Sequence, residues 1–234
     1  MNTWKNNNVL TRFKESYFLE DADNKKSGLP TDAKPVGGTI FYIDDAAGGK
    51  YEFFDVGGNV IENVQVGDKP YAYRVVSAGS EDKYYAYHDR LYKGLWANYN
   101  DEISENESLG TSEDIGSGKT NTKIAMADES SLGRYPTIWY QLQQARRSKI
   151  NGCDDWFVPS KDELEELRLA IESGSITGGT IAGSSYDESV FKREYLWSSS
   201  EHPSQGAWLW SYYYRRWGNY YKYEDNPVLF TRAF

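Results

Sequence analysis

Hydrophobic residues in the first half of the chain are concentrated in short runs rich in Val, Ile, Tyr and Phe, which lie between polar and glycine-containing stretches. Such runs in residues 38–43, 51–56 and 71–76 predict three strands. The glycine-containing residues 44–49 predict a turn, so we expect the first two strands to pair as a hairpin. Residues 98–120 are rich in Asp, Glu, Ser and Gly, and we expect a long solvated loop there.

Apolar residues recur at helical spacing in two segments after this loop. The first helix is predicted over residues 136–149, with Asn151-Gly152 as its end, and its apolar face consists of Ile138, Leu142 and Ala145. The second helix begins at Ser160, because Ser160 and Glu163 have the spacing of a capping box, and it ends at Gly174. Its apolar face consists of Leu164, Leu167 and Ile171.

Short strand patterns return after Phe191, so strands are followed by two helices and then by strands. This order predicts an α+β fold rather than a parallel α/β fold. Residues 1–35 are polar with one amphipathic stretch, and we interpret them as an N-terminal extension and linker before a domain over residues 36–234. A helix packed on the domain is the alternative for this first segment.

The C-terminal segment, residues 195–234, is dense in aromatic residues interleaved with Ser, Arg, Asn and Asp. Strand alternation places Trp208, Trp210 and Tyr212 on one face, which we expect to be buried. Leu209, Ser211 and Tyr213 lie on the other face, which we expect to be exposed. Consecutive tyrosines in Tyr212–Tyr214 cannot all point inward, so some of these rings form a surface patch of the kind that binds ligands. Tyr, Arg, Ser, Gly and Asn are also the residues that binding loops favour.

Net charge argues against two classes of partner. The chain has a formal charge of −9, whereas nucleic acids and anionic membranes attract proteins of net positive potential. The segment is nevertheless locally basic at Arg215, Arg216 and Lys222. The N-terminal residues have no signal-peptide pattern, and no apolar run is long enough for membrane insertion.

Few residues are suited to catalysis or metal binding. Cys153 is the single cysteine, which excludes an intrachain disulfide, and His88 and His202 are the only histidines. We expect the carboxylate pairs Asp154/Asp155 and Glu165/Glu166 to be solvated surface. Catalytic residues and cofactors are therefore not expected.

Two further motifs suggest ligands. Gly116–Thr120 resembles the end of a phosphate-binding loop, but position 113 is Glu where that motif requires Gly, and no apolar strand precedes it. Oxygen ligands cluster at Glu224, Asp225 and Asn226, which leaves calcium open as an alternative, although a polar loop tip needs no metal.

Six segments carry a resemblance to a known family. They are residues 37–42, 115–122, 151–164, 195–201, Ala207-Trp208 and the ending Thr231-Arg-Ala-Phe234. In that order they resemble bacterial and phage domains with a C-type-lectin-like fold, related in fold to formylglycine-generating enzymes. The resemblance covers roughly residues 36–234 and implies two helices packed on short antiparallel sheets, with the N and C termini close together.

Within that family, the C-terminal segment resembles the variable region of a diversity-generating retroelement target protein. The resemblance implies a ligand-binding protein whose specificity is changed by rewriting template adenines, and a protein or other macromolecular ligand on a target cell surface. Trp208, Trp210 and Trp217 would be fixed framework because Asn codons rewritten at adenines cannot encode Trp. The candidate ligand-binding residues are Leu209, Ser211, Tyr213, Tyr214, Arg215, Arg216, Asn219, Tyr220, Tyr221, Tyr223, Asp225 and Asn226.

Two alternatives remain open. A fixed phage tail-fibre or surface adhesin of the same fold would carry its site in the same place. An enzyme of the formylglycine-generating type is a remote alternative, because Cys153 has no second cysteine to share a copper ion. The sugar- and calcium-binding signatures of animal C-type lectins are absent, and Val228–Arg232 departs from the Val-Arg-Pro-Val-Arg usual in the family. The resemblance places the protein on a phage virion or a bacterial cell surface, with its oligomeric state open.

Overall fold

The fold was examined in a computed structural model, which describes residues 28–97, 108–128, 136–176, 195–203, 206–211 and 213–234. In these residues the chain is an α+β protein in which all the paired strands of its sheets run antiparallel. The predicted fold class is confirmed at this level. No helix of the described residues is long and apolar enough to cross a membrane.

The first sheet has four strands in the order β1-β5-β3-β4. Its strands are β1 (Lys34–Pro35), β3 (Lys50–Phe54), β4 (Val60–Ile61) and β5 (Ala72–Ser77). The two edge strands have only two residues each, and β1 includes the last two residues of the segment interpreted as a linker.

The second sheet has the order β10-β6-β2 and joins the two ends of the domain. Its strands are β2 (Thr39–Ile43), β6 (Tyr84–Gly94) and β10 (Asn226–Ala233). The prediction that β2 and β3 form a hairpin is wrong, because β2 pairs with β6 and β3 pairs with β5. Thr39, Ile40 and Phe41 are all buried, so β2 is covered on both faces and belongs to the interior rather than to a local hairpin.

The third sheet carries the C-terminal aromatic segment. Its order is β7-β8-β9, with β7 at Tyr195–His202, β8 at Gly206–Ser211 and β9 at Arg216–Tyr221. Short strands after Phe191 are therefore confirmed. Within the third sheet β8 is the central strand and β9 is an edge strand.

Three α-helices lie in the described residues, where the sequence predicted two. Helix α2 (Ile138–Arg147) and helix α3 (Lys161–Glu172) confirm the predictions, and the Ser160–Glu163 capping box is present. Helix α1 (Gly118–Ala127) begins inside the segment predicted as a solvated loop. Its buried face consists of Gly118, Asn121, Thr122 and Ala125. These buried side chains are small or polar, so they give no apolar periodicity, and the hydrophobic pattern of the sequence did not predict this helix.

Polar anchors hold α1 in place. Asn121 is 1% exposed, its Nδ2 donates to the Ser112 carbonyl at 2.6 Å, and its Oδ1 accepts from the Ser112 amide at 2.9 Å. Thr122 Oγ1 accepts from the Val158 amide at 3.0 Å. The residues before α1 are therefore bound to the domain, which corrects the prediction of a solvated loop for the described residues 108–117. Residues 98–107 of that prediction lie outside the described residues.

The ends of the described domain meet at Arg232. Its guanidinium binds Asp155 in a bidentate pair at 2.9 and 2.8 Å, and its Nη1 donates to the Val36 carbonyl at 3.0 Å. Asp155 is thus an ion-pair partner rather than only solvated surface, and its role was missed. The residues near the C terminus lie against the start of β2, while Met1, the other end of the chain, lies outside the described residues.

Candidate functional site

The β8–β9 hairpin positions most of the predicted ligand-binding residues. Six residue pairs join its strands without a register shift, from Gly206↔Tyr221 to Ser211↔Arg216. Arg215 has a φ of +50°, a left-handed conformation that turns the chain back into β9. The Tyr214 amide donates to Ser211 Oγ at 3.2 Å, which ties the turn to the end of β8. Tyr212 lies outside the described residues.

Large tyrosine rings are exposed on this hairpin. Tyr213, Tyr214 and Tyr221 are 68%, 55% and 61% exposed. Tyr213 and Tyr214 pack edge to face at 4.8 Å, and Tyr221 stacks on the half-buried Tyr223 at 5.2 Å with 10° between the rings. Ring-to-ring contact restricts these side chains before any ligand binds, so less conformational entropy is lost on binding.

Two arginines flank the exposed rings. Arg215 and Arg216 are exposed, and Arg216 lies over the Tyr214 ring at 5.3 Å. Among the described residues, no carboxylate lies in ion-pair contact with either guanidinium. An acidic group of a ligand would therefore meet two cations that no carboxylate of the described residues neutralises.

Leu209 and Ser211 correct the predicted alternation of faces. Leu209 is 0% exposed and packs in the core with Trp197 and Trp139, and Ser211 is 3% exposed. Leu209 packs in one core cluster and the adjacent Trp210 packs in another, so both faces of β8 are covered here. Neither side chain is part of the ligand-accessible surface.

The remaining candidates divide between surface and framework. Asn219 is exposed, whereas the half-buried Tyr220 donates its hydroxyl to Tyr195 Oη at 3.1 Å. Asp225 is 57% exposed and pairs with Lys93 at 3.2 Å, and Asn226 begins β10 half-buried. The β8–β9 surface is defined here as the predicted residues that surround the exposed tyrosine rings, namely Tyr213, Tyr214, Arg215, Arg216, Asn219, Tyr221 and Tyr223; the exposed Asp225, paired with Lys93, is left out of it.

The tryptophans of the hairpin are fixed by carboxylates. Trp208 Nε1 donates to Glu113 Oε1 at 2.7 Å, and Trp217 Nε1 donates to Glu165 Oε2 at 3.0 Å. Glu165 also accepts from Arg168, so this carboxylate supports the hairpin and the prediction of plain solvated surface was wrong for it. Trp208 and Trp217 are only half-buried, in contrast to the buried face predicted for Trp208.

Lys161 connects these indoles to α3. Its ammonium lies 4.5 Å from the Trp208 ring and 5.8 Å from the Trp217 ring, and it pairs with Glu113. Lys161 and Glu113 were not identified from the sequence. In the sequence Lys161 is only the residue after the capping serine. Its contact with the two tryptophans is visible only in the folded structure.

A buried ion pair anchors the end of β9. Lys222 and Glu201 are 7% and 8% exposed, and Lys222 Nζ lies 2.5 Å from Glu201 Oε1. Glu201 Oε2 accepts from the Leu109 amide at 2.7 Å, and the Lys222 carbonyl accepts from the Ala97 amide at 2.9 Å. Lys222, assigned to a basic surface by the sequence, is therefore a framework residue. Strand alternation places Lys222 on the same face as the half-buried Tyr220, and this alternation could have indicated that Lys222 is not on the exposed face.

The Gly116–Thr120 motif is occupied by the protein itself. Glu163 Oε1 accepts from the amides of Gly116 and Gly118 at 3.0 and 3.3 Å, and Oε2 accepts from the Ser160 amide at 2.8 Å. Burial raises the pKa of Glu163 to about 7, against the opposing effect of these backbone donors. The amides that a phosphate would need are directed at this side chain.

Other groups with potential chemistry are buried or packed against aromatic rings. Burial raises the pKa of the Cys153 thiol to about 12, which keeps it protonated and unreactive. His88 packs edge to face on Trp156 at 5.4 Å, and His202 packs on Trp208 at 4.3 Å. In the described residues no group of three or more His, Cys, Asp or Glu side chains is arranged to hold a metal ion.

Comparison with known proteins adds no assignment. No protein-family model matches the chain, and no curated protein matches it.

Proposed function

We propose that this chain is a ligand-binding protein with a C-type-lectin-like fold that binds a protein or other macromolecule through the β8–β9 surface. The observation that carries the proposal is the exposure of Tyr213, Tyr214 and Tyr221 beside two arginines that lack ion-pair partners among the described residues. Tyrosine and arginine are enriched among the residues that dominate binding energy at protein interfaces.

The framework beneath this surface supports the same proposal. Trp208 and Trp217 are held by Glu113 and Glu165, and Lys222 is held by Glu201. These contacts fix the hairpin without using the exposed tyrosines. Side chains of the surface are therefore free to differ between related proteins at little cost to stability. This separation is what a diversified receptor requires, and we propose that a retroelement rewrites this segment.

A whole-cell binding assay tests the ligand-binding role. Fluorescently labelled protein is applied to a panel of bacterial cells, and the triple variant Tyr213→Ala, Tyr214→Ala, Tyr221→Ala is compared with the wild type. Loss of cell binding with an unchanged melting temperature supports the proposal. Tyr140→Ala is the matched control, because Tyr140 is a 45% exposed tyrosine on α2. Equal binding by the triple variant and the control would contradict the proposal.

Diversification has its own test. The 3′ end of the gene is sequenced deeply in a population of the source, together with the flanking DNA. Substitutions confined to adenine positions of a nearby near-copy, in the codons of the β8–β9 surface, are the expected result. A uniform sequence without such a copy would leave a fixed adhesin.

A further inference from the structure

A groove of about 830 Å³ lies between helix α3, strand β2 and residues 64–66, and we call it the α3 groove. Its floor is apolar, because Phe41, Val64 and Ala170 are buried there. Leu169 lines the same groove and is 44% exposed. An exposed leucine beside a buried apolar floor is typical of a surface that binds another segment.

The charges of the α3 groove indicate the chemistry of that segment. Asp45 and Glu166 line the groove, and neither carboxylate has an ion-pair partner among the described residues. Burial raises the pKa of the Tyr42 hydroxyl, and the carboxylates around it, Glu166 among them, raise it further. Lys83 is the cation that lines the groove with them. Two carboxylates against one ammonium leave an excess of negative charge, which a basic and apolar segment complements.

Residues 9–19 of the chain, which lie outside the described residues, have this composition. Leu10, Phe13 and Tyr17 have the spacing with which the apolar side chains of an amphipathic helix fill a groove. Lys14 follows Leu10 by four residues and adjoins the same side in that spacing. The first fourteen residues contain three cations and no Asp or Glu, although the whole chain has 26 Lys and Arg against 35 Asp and Glu. Apolar pattern and charge therefore both complement the α3 groove.

The described part of the chain begins close enough for residues 9–19 to reach this groove. Gly28 lies against Gly57 and Gly58, in the turn between β3 and β4. Val64 follows Gly58 by six residues, so the groove begins at most about 22 Å from that turn. The eight residues 20–27 span up to about 26 Å when they are extended. This link is therefore long enough to place residues 9–19 in the groove of the same chain.

We propose that residues 9–19 bind in the α3 groove of their own chain as an amphipathic helix, with Phe13 against Leu169. This inference does not depend on the proposed ligand-binding function. The hairpin uses another side of α3, where Glu165 accepts from Trp217 Nε1, and none of the described residues that line the groove belongs to β7, β8 or β9. A segment bound in the groove thus leaves the β8–β9 surface accessible.

Photo-cross-linking of the full chain tests where residues 9–19 lie. Leu169 is replaced by p-benzoylphenylalanine, which on irradiation attaches to the side chains that cover it, and mass spectrometry after proteolysis identifies the attached peptide. The same replacement of Tyr140, a 45% exposed residue on α2, is the matched control. We expect position 169 to attach to residues 5–19 of the same chain at least about tenfold more often than position 140 does.

Charge complementarity is tested in the same assay. Glu166→Lys should lower the cross-link yield from position 169 at least about threefold, because it places a cation beside the basic segment. Asp154→Lys should leave the yield unchanged, because Asp154 is exposed and does not line the groove. An unchanged yield in Glu166→Lys would count against the proposal.

Thermal melting provides an independent measurement. Phe13→Asp and Leu169→Asp should each lower the melting temperature by about 2–4 °C, since each weakens a contact that exists only in the folded chain. The double variant should melt no lower than the less stable single variant, because the same contact cannot be lost twice. Tyr140→Asp is the control, and its effect should add to that of Phe13→Asp.

Four results would overturn the proposal. The first is a cross-link yield from position 169 no higher than that from position 140, and the second is attachment of position 169 to another segment. The third is a covalent dimer, which would show that a second copy supplies the bound segment. The fourth is additive melting effects of Phe13→Asp and Leu169→Asp, which would show that the two side chains are not in contact.

Discussion

The ammonium of Lys222 lies 2.5 Å from the carboxylate of Glu201, and both side chains are enclosed by the domain. The same lysine lies 4.7 Å from the Trp96 ring. A basic residue within an aromatic, surface-forming segment therefore connects β9 to β7 through Glu201 and to a distant part of the chain through Trp96.

Lys222→Met should destabilise the domain strongly. Removal of the ammonium leaves the Glu201 charge buried without its cation, and the loss of one partner of a buried pair costs about 3–5 kcal/mol. The double variant Lys222→Met, Glu201→Gln should recover part of this loss, because no buried charge is left. Chemical denaturation of the three proteins measures the effect. A double variant no more stable than Lys222→Met would contradict this account of the pair.

Arg232→Ala should destabilise the domain by about 1–3 kcal/mol. Arg232 is 4% exposed and donates to the carbonyl of Val36, so its loss leaves a buried acceptor unpaired. The Asp155 carboxylate that remains is 44% exposed, and water reaches it. Asp155→Asn should cost more, because it leaves the buried guanidinium of Arg232 without its anion. Thermal melting of both variants provides the comparison. A smaller loss for Asp155→Asn would show that the charge of the pair is not the main source of its stability.

Glu163→Ala should cost about 1–3 kcal/mol, because the amides of Gly116, Gly118 and Ser160 lose their acceptor. Glu163→Gln should cost less, since its amide oxygen still accepts from Gly116 and Gly118. Unfolding by urea measures both. If Glu163→Gln were as unstable as Glu163→Ala, the hydrogen bonds of Oε1 would not be the source of the stability.

His88 should make the domain less stable in acid. Burial lowers the pKa of His88 to about 4 from the 6.5 of an ordinary histidine. The unfolded chain therefore binds a proton below about pH 6.5 that the folded chain does not bind until about pH 4, and the stability from this group is lost progressively over that window. The loss reaches about 3 kcal/mol.

The pH dependence of wild-type stability also contains a contribution from Glu163 of opposite sign. The pKa of Glu163 is raised to about 7, so the stability that this group contributes is lost as pH increases from 4.5 to 7. Comparison with His88→Gln removes this contribution, because Glu163 is present in both proteins. The difference in unfolding free energy between wild type and His88→Gln should therefore shrink as pH falls from 6.5 to 4. A difference that is constant over this range would show that His88 does not titrate differently in the two states.

The helices with apolar faces and the class of the fold were predictable from the sequence, and α1 was not. The helices that contain Leu142 and Leu167 could be predicted because their buried apolar residues recur at the helical period. Asn121 and Thr122 bury polar groups through hydrogen bonds to distant residues, and such partners have no signature in local sequence.

The predicted exposure of the candidate residues was correct for Tyr213 and Tyr214, before the start of β9, and wrong for Leu209 and Ser211 on β8. Tyr213 and Tyr214 are exposed because the chain turns there, as their consecutive tyrosines indicated. Leu209 is enclosed because its face of β8 packs in the core with Trp139 and Trp197, which alternation alone cannot reveal. Lys222 was assigned to the surface by charge, but its partner Glu201 is provided by β7.

The position of β10 determines which kinds of coding change in the aromatic segment still give a folded protein. This strand follows the β8–β9 hairpin in the chain and pairs with β6, and its Val228, Leu229 and Phe230 are almost fully enclosed. A nascent chain therefore cannot complete its interior until the ribosome has translated the hairpin codons in the correct frame. A frameshift or premature stop in those codons removes β10 and leaves an unfolded product for proteases, whereas a missense change at an exposed tyrosine does not. Folding itself thus tolerates substitutions at the exposed positions of the hairpin and rejects insertions and deletions that break the reading frame.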